Sequence, residues 1–255
     1  VQDKTRYISI QLGIGGWKPM LAKDVDRLGY GDCKALTNYT RSLLQTVGIP
    51  SYYTIIYGDT EMRNLQQDFV SMQGNHVILG VPIDNKIHWL ECTSQDNPFG
   101  FQGDFTDNRF ALIIKPDGGE IIRTHEYKTE ENSQSSKGSF TINAEGNLSG
   151  AVVIKSKGTQ YDNKFYNEKK SAEERIKFYK NYFWHINNIN LQKIGFINNK
   201  ETVEFQEDIA IEAVGYASIS SGRMMFVLNA FNPSKNIPQR YRTRSNPFEI
   251  YLGFY

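Results

Sequence analysis

The sequence has few cysteines, no long apolar run and almost no net charge. Two cysteines, Cys33 and Cys92, are too few for a disulfide-rich scaffold or a four-cysteine zinc site. The longest purely apolar runs, Phe110–Ile114 and Met224–Leu228, have about five residues, whereas a membrane-spanning helix needs roughly 20. The formal charge of +1 lacks the basic excess of a nucleic-acid-binding protein. We therefore expect no membrane span and no nucleic acid as partner.

The composition is that of a globular protein, and it changes near the middle of the chain. A chain of 255 residues is long enough for one or two domains. Residues 131–138 (ENSQSSKG) are polar, serine-rich and free of large apolar side chains, which is typical of a linker. Residues 1–130 mix helix and strand signals, and residues 139–255 carry mainly strand signals, with one amphipathic helix over Ser171–Ile186. We therefore predict two domains and an α+β fold.

A helix signal begins at Cys33. Asp32 is a natural N-cap, and Gly48 and Pro50 end the apolar periodicity that follows. The free N–H groups and the dipole at a helix start favour a thiolate and can stabilise an oxyanion. Cys33 is thus the candidate nucleophile, and the alternative is a buried, inert thiol.

A base for this thiol is sought among the histidines. His76 begins a predicted strand, His76–Ile83, and Glu91 lies on the next one, Ile87–Thr93. A hairpin centred on Asn85 pairs residues whose numbers sum to about 170. His76 then faces about residue 94, three residues from Glu91, and a one-residue bulge would bring the two closer. A carboxylate beside an imidazole fixes its tautomer and stabilises the imidazolium. Alternatively, His76 is an ordinary strand-end histidine and Glu91 faces solvent. The other imidazoles fit other roles: His185 in a helix with an aromatic face, His125 in solvent, and His88 on the strand of Glu91.

The motifs GYGDCKALTNY, NHVI and WLECTSQ, in this order, resemble the transglutaminase-like superfamily. The closest similarity is to exported bacterial proteins that carry this core between an N-terminal and a C-terminal β domain. It covers Arg6–Phe101, and it is looser over Ser139–Tyr255. The resemblance implies a papain/transglutaminase-like core, in which the helix carrying the cysteine packs on an antiparallel sheet. A mostly-β, sandwich-like domain with one helix is expected to follow.

The resemblance also implies roles for individual residues. Cys33 matches the nucleophile, His76 the base and Glu91 the third residue, although the superfamily typically has Asp at that position. Related thiol enzymes often place a glutamine or an aromatic N–H upstream as oxyanion donor, and the candidates here are Gln11 and Trp17. We expect no metal and no cofactor. Asp104 and Asp107 lack the full spacing of a calcium loop and indicate a turn.

The expected function is hydrolysis of an amide or peptide bond, with a peptide or protein as substrate. Three alternatives stay open: a true transglutaminase with an amine acceptor, a catalytically inactive envelope-binding or scaffolding module, and a carbohydrate-binding β-sandwich. A Cys33–Cys92 disulfide is the structural alternative to a free nucleophile.

The resemblance implies export to the periplasm or cell envelope. Because the chain begins without Met, we expect a processed or excised piece. The resemblance implies an N-terminal β domain that this sequence lacks. The strip Arg240, Arg242 and Arg244 is expected to be solvated.

Overall fold

The computed structural model of the chain describes residues 1–228, 230–231 and 243. It divides into two compact units, Val1–Tyr127 and Lys128–Tyr255. Both combine helices with mostly antiparallel sheets, so the predicted α+β class is confirmed. The strip of Arg240, Arg242 and Arg244 lies outside the described residues.

The first unit is a five-stranded antiparallel sheet with two helices. Its elements are β1 (Arg6–Tyr7), α1 (Ala22–Leu28), β2 (Tyr30–Gly31), α2 (Cys33–Thr46), β3 (Tyr52–Ile56), β4 (His76–Ile83), β5 (Lys86–Leu90), β6 (Phe110–Lys115) and β7 (Gly118–Arg123). The large sheet has the strand order β5-β4-β3-β6-β7, and β1 pairs in parallel with β2. A long loop joins β3 to β4 and ends just before His76, the first residue of β4. The loop between β5 and β6 begins with Glu91.

The β4–β5 hairpin turns through two residues, Asp84 and Asn85. Both have left-handed φ angles, 49° and 62°, as a type I′ turn requires. Ile83 therefore pairs with Lys86 and Leu79 with Leu90, one residue away from the register that a turn centred on Asn85 predicts. The reason is that a two-residue turn is centred between two residues, whereas the prediction placed its centre on one.

Alternating apolar side chains build the core of this sheet. Ile56, Ile78, Trp89, Ala111 and Ile113 form one cluster and are at most 4% exposed. Glycine at position 80 makes room for Trp89, because a Cβ there would lie 3.0 to 3.3 Å from Ile87, Trp89 and Ile113. A second cluster joins the two helices through Val25, Ala35, Leu36 and Tyr39.

The second unit contains a four-stranded antiparallel sheet of order β10-β11-β9-β8 and a small hairpin. Its elements are β8 (Gln134–Ile142), β9 (Leu148–Lys157), α3 (Thr159–Asp162), α4 (Ala172–Tyr182), β10 (Ile189–Asn199), β11 (Glu204–Ala213), β12 (Ser218–Ser220) and β13 (Arg223–Met225). Tyr179 of α4 and Phe183 just after it pack on the sheet. Among the described residues, the arrangement is thus one sheet packed on a helix, where a sandwich-like pair of sheets was expected.

The predicted linker at 131–138 is wrong in its second half. Gln134–Gly138 belong to β8 and pair with β9 along their length. As an edge strand, β8 needs hydrogen-bond partners on one side only, and polar side chains suit its exposed side. The predicted helix over Ser171–Ile186 is shorter than expected: Ser171 and Glu174 form a capping box, and the helix ends at Tyr182.

An ion pair is buried in the second unit. Glu207 of β11 is fully buried, and Tyr179 donates a short hydrogen bond to its Oε1. Lys164 Nζ lies 3.2 Å from Glu207 Oε2 and 4.1 Å from the centre of the Tyr182 ring. Burial, followed by the charge of Glu207, raises the pKa of Tyr179. The carboxylate is therefore stabilised by a cation and a neutral phenol.

Removing only the cation should destabilise this unit strongly. We expect Lys164→Met to lower the free energy of unfolding by about 3 kcal/mol, because Glu207 then stays buried without a counter-charge. Lys164→Met combined with Glu207→Gln should be less damaging than the single change. The matched control is Lys155→Met on β9, whose half-exposed ammonium lies 3.4 Å from Glu204, with an expected loss below about 1 kcal/mol. Hydrogen exchange of the β9 and β11 amides measures each value; equal losses for Lys164→Met and Lys155→Met would contradict the expectation.

Candidate active site

Cys33 is the first residue of α2, and its sulfur lies at the positive end of the helix dipole. Asp32 caps the helix by accepting a hydrogen bond from Ala35 N at 2.9 Å, and its second oxygen pairs with the Lys34 ammonium. Gly31 permits the tight approach of the chain, because a Cβ there would lie 2.7 Å from the Cβ of Ala35. Cys33 is only 7% exposed. The predicted cap and helix start are confirmed.

His76 is the first residue of β4 and contacts Glu91. Its Nε2 lies 2.8 Å from Glu91 Oε2, and the side chains are 10% and 8% exposed. The edge of the imidazole meets the Phe105 ring at 5.3 Å between centres. The predicted His76–Glu91 pair is therefore present, in a place with little access for water.

The second oxygen of Glu91 is held as well. Oε1 accepts hydrogen bonds from Thr93 N, at 2.9 Å, and from the Thr93 hydroxyl. Burial acts to raise the pKa of Glu91, but the charge of His76 and the hydrogen bonds from His76 and Thr93 outweigh it and lower that pKa. Glu91 is thus a carboxylate with both oxygens bonded. Thr93 and Phe105 were not among the predicted site residues; the only sequence signal for Thr93 is its position two residues after Glu91.

Cys33 acts on the imidazole as well. Burial acts to lower the pKa of His76, but the charge of Glu91 and the interactions of the ring with Cys33 and Glu91 raise it to about 10. Because Nε2 contacts Glu91, Nδ1 is the ring nitrogen left for the thiol. The imidazole therefore interacts both with the thiol of Cys33 and with the carboxylate of Glu91.

The second thiol is separate from this chain. Both cysteines are free, so a Cys33–Cys92 disulfide is absent. Cys92 packs against the cluster between α1 and α2, and its Sγ lies 3.7 Å from Leu90 O. Burial and the negative Glu91 raise the pKa of Cys92 to about 12, although hydrogen bonds with Thr40 and Thr37 act in the opposite direction. Cys92 is a partly buried thiol that keeps its proton.

The two predicted oxyanion donors lie outside the triad. Gln11 is exposed and its amide donates to Ser9 Oγ at 3.3 Å. The side chain of Trp17 is 67% exposed. Neither is among the hydrogen-bond partners that the structure gives to His76 or Glu91.

The remaining candidates have structural surroundings. His88 stacks on Phe99, His125 is exposed with its ring against Tyr127, and His185 Nε2 contacts Ala230 O. Asp104 and Asp107 lie in the loop before β6, where their carbonyl oxygens accept hydrogen bonds from the buried Arg109. In the described part of the chain, no cluster of three or more His, Cys, Asp or Glu side chains is placed to hold a metal ion. None of the helices described combines the length and apolarity needed to cross a bilayer.

Comparison with known proteins adds no relative. No family model, curated protein or solved structure matches the chain. What defines the class of site is therefore its own geometry: a nearly buried thiol at a helix start, an imidazole, and a carboxylate on the neighbouring strand's end.

The raised pKa of His76 has a consequence for stability. The imidazolium contributes stability that is complete below pH 6.5, the ordinary value, and is lost as the pH rises through about 10. Between these limits the free energy of unfolding should fall by about 1.4 kcal/mol per pH unit from this group. Glu91→Gln removes the charge that holds the proton while burial remains, so this slope should vanish. Urea unfolding at several pH values from 7 to 9 measures it in the Cys33→Ala background, because there no proton passes from the thiol to the ring; an equal slope with and without Glu91→Gln would contradict the assignment.

Proposed function

We propose that the first unit is a papain-like thiol enzyme of the transglutaminase-like type, which hydrolyses an amide or peptide bond. The observation that carries the proposal is the imidazole of His76, which pairs with the buried Glu91 and interacts with Cys33 at the start of α2. A structural histidine needs one partner, whereas a ring held between a thiol and a buried carboxylate is the arrangement for proton transfer. The motif resemblance over Arg6–Phe101 supports the same conclusion independently of geometry.

The chemistry follows from the contacts. His76 holds the proton that comes from the Cys33 thiol, in keeping with its raised pKa, and the thiolate attacks the acyl carbon, whose oxygen becomes an oxyanion. As this intermediate collapses, the C–N bond breaks, the amine leaves with the proton from His76, and a thioester remains on Cys33. Water then attacks the thioester while His76 takes its proton. The C–S bond breaks, the acid is released, and the thiolate and the protonated His76 are restored.

Glu91 acts through His76 and is a positioning residue. With Oε1 fixed by Thr93, Oε2 holds Nε2 and leaves Nδ1 directed to the sulfur. Its charge stabilises the imidazolium that forms when the thiol loses its proton. The longer side chain, compared with the Asp typical of the superfamily, reaches His76 at hydrogen-bond distance.

The backbone N–H of Cys33, at the start of α2, is the first oxyanion donor in this proposal. One such donor contributes about 3 kcal/mol to transition-state stabilisation in related sites. Gln11 and Trp17 remain candidates for the second. The loop that carries them leaves β1 beside the helix start, since Ile8 N donates to Gly31 O at 2.9 Å. In this account the loop supplies its donor when an acyl substrate binds.

A generic acyl donor tests the nucleophile. We expect para-nitrophenyl acetate to acetylate Cys33 and the acetyl group to be released again by water, as followed by mass spectrometry and nitrophenol release. Cys33→Ala should abolish both. His76→Gln, which can still bond Glu91, should slow acetylation by about 100-fold or more, because it removes the base. The matched control is Cys92→Ala, which removes the buried thiol and should leave acetylation intact.

Acetylation at Cys92, or an unchanged rate after His76→Gln, would contradict the mechanism. It would favour the alternative of an inactive binding or scaffolding module on the same fold. Adding n-butylamine separates hydrolysis from amine transfer: we expect acetate as the main product, whereas N-butylacetamide would indicate a transglutaminase. Export to the periplasm or cell envelope, and an N-terminal β domain preceding this chain, remain proposals that rest on the resemblance.

A further inference from the structure

An apolar cavity of about 280 Å³ lies in the first unit, between the sheet and the loop that precedes His76. Its floor consists of Ile55, Leu112 and Ile121, and its walls include Phe69 and Met72. None of the residues lining it carries a charge. Phe69 and Met72 are 61% and 73% exposed, so the loop presents large apolar side chains to solvent at the edge of the cavity.

The register connects the floor of the cavity to Val77 of β4. Ile55 pairs with Leu112 on one side and with Val77 on the other, and Leu112 pairs with Ile121. Paired residues of antiparallel strands present their side chains on the same face, so this face continues from the cavity to Val77.

Helix α2 reaches the same point. Thr37 Oγ1 donates to Val77 O at 3.3 Å, and Cys33 lies one helical turn, about 6 Å, before Thr37. Val77 and Ile55 are separated by one strand spacing, about 5 Å. Thr37 and Val77 therefore link the helix that carries Cys33 to the floor of the cavity.

The loop that forms the wall of the cavity also leads into His76. Gly74 lines the cavity and precedes His76 by two residues. A Cβ at Gly74 would lie 2.4 Å from Ile55 Cγ2, so only glycine lets the loop descend onto the floor here. Gln73 holds the loop closed: its Oε1 accepts from Gln66 N at 2.7 Å, and its Nε2 donates to Gln66 O and Phe69 O at 3.2 and 2.7 Å. The walls are thus built into the segment that positions the imidazole.

We propose that this cavity binds an apolar side chain on the acyl side of the scissile bond, and so selects peptides with leucine-like residues there. The inference rests on the proposed function, because it uses Cys33 as the reacting atom. A charged side chain entering the cavity would lose water without gaining a partner, since no lining residue carries a charge and the Gln73 amide is engaged by the loop. An aliphatic side chain instead covers apolar surface that is otherwise wet.

Two thiol-directed probes test the cavity: N-acetyl-Leu-Leu vinyl sulfone and N-acetyl-Ala-Ala vinyl sulfone. We expect the second-order rate of Cys33 modification to be about tenfold or more higher for the leucine probe. Ile121→Asp, on the edge strand β7, and Phe69→Asp, on the loop, should reduce this ratio to near one. The matched control is Ile114→Asp: it lies on the same face of β6 as Leu112, is 43% exposed, and does not line the cavity, so its ratio should equal that of the wild type.

Iodoacetamide, which needs no pocket, reports the reactivity of the sulfur in every variant, and circular dichroism reports folding. Equal rates for both probes, or a leucine preference that survives both Ile121→Asp and Phe69→Asp, would overturn the cavity assignment while leaving the nucleophile in place. If iodoacetamide modifies Cys33 at a rate that His76→Gln does not change, and neither vinyl sulfone reacts, the proposed function itself fails. The two failures are therefore distinguishable.

Discussion

The first unit depends on the satisfaction of one buried carboxylate. Glu91 is 8% exposed, and a carboxylate so deeply buried is destabilising unless both oxygens are bonded. Thr93 supplies two donors and His76 the counter-charge. The same contacts that stabilise the carboxylate fix one nitrogen of the imidazole at Glu91 and leave the other for Cys33. The His76–Glu91 pair therefore stabilises the buried carboxylate and, in the proposed function, also orients the base.

The scaffold delivers the three groups from separate elements. Cys33 comes from a capped helix start, His76 from the beginning of a central strand, and Glu91 from the position directly after the neighbouring strand. A two-residue turn at Asp84 and Asn85 sets the register of the last two. Because helix, strand and hairpin are each rigid, little side-chain freedom remains to be lost when substrate binds. The loop that lines the apolar cavity leads into His76, so in the proposed function substrate binding and proton transfer involve the same segment.

Sequence signals predicted the features that depend on residues close together in the chain. The cap at Asp32 and the helix after it follow from turn chemistry and periodicity. Hairpin pairing placed Glu91 only near the end of the strand that carries His76, and the motif resemblance assigned the pair. Other features depend on tertiary context. Residues 134–138 read as a linker but form strand β8, because β9 offers them hydrogen-bond partners. Strand β10 was not predicted; its asparagines and lysine hide the alternation, and a bulge after Leu191 shifts it. Arg109, Thr93 and Phe105 gain their roles only from the folded loop.

The most direct test of the central claim is the protonation state of His76 at pH 8. Nitrogen-15 NMR of the imidazole ring distinguishes the charged ring from the two neutral tautomers. The account predicts a ring with protons on both nitrogens, and a strongly downfield Nε2 proton that reflects the bond to Glu91. A neutral ring that exchanges between tautomers at this pH would show that Glu91 does not hold the imidazolium, and it would contradict the account.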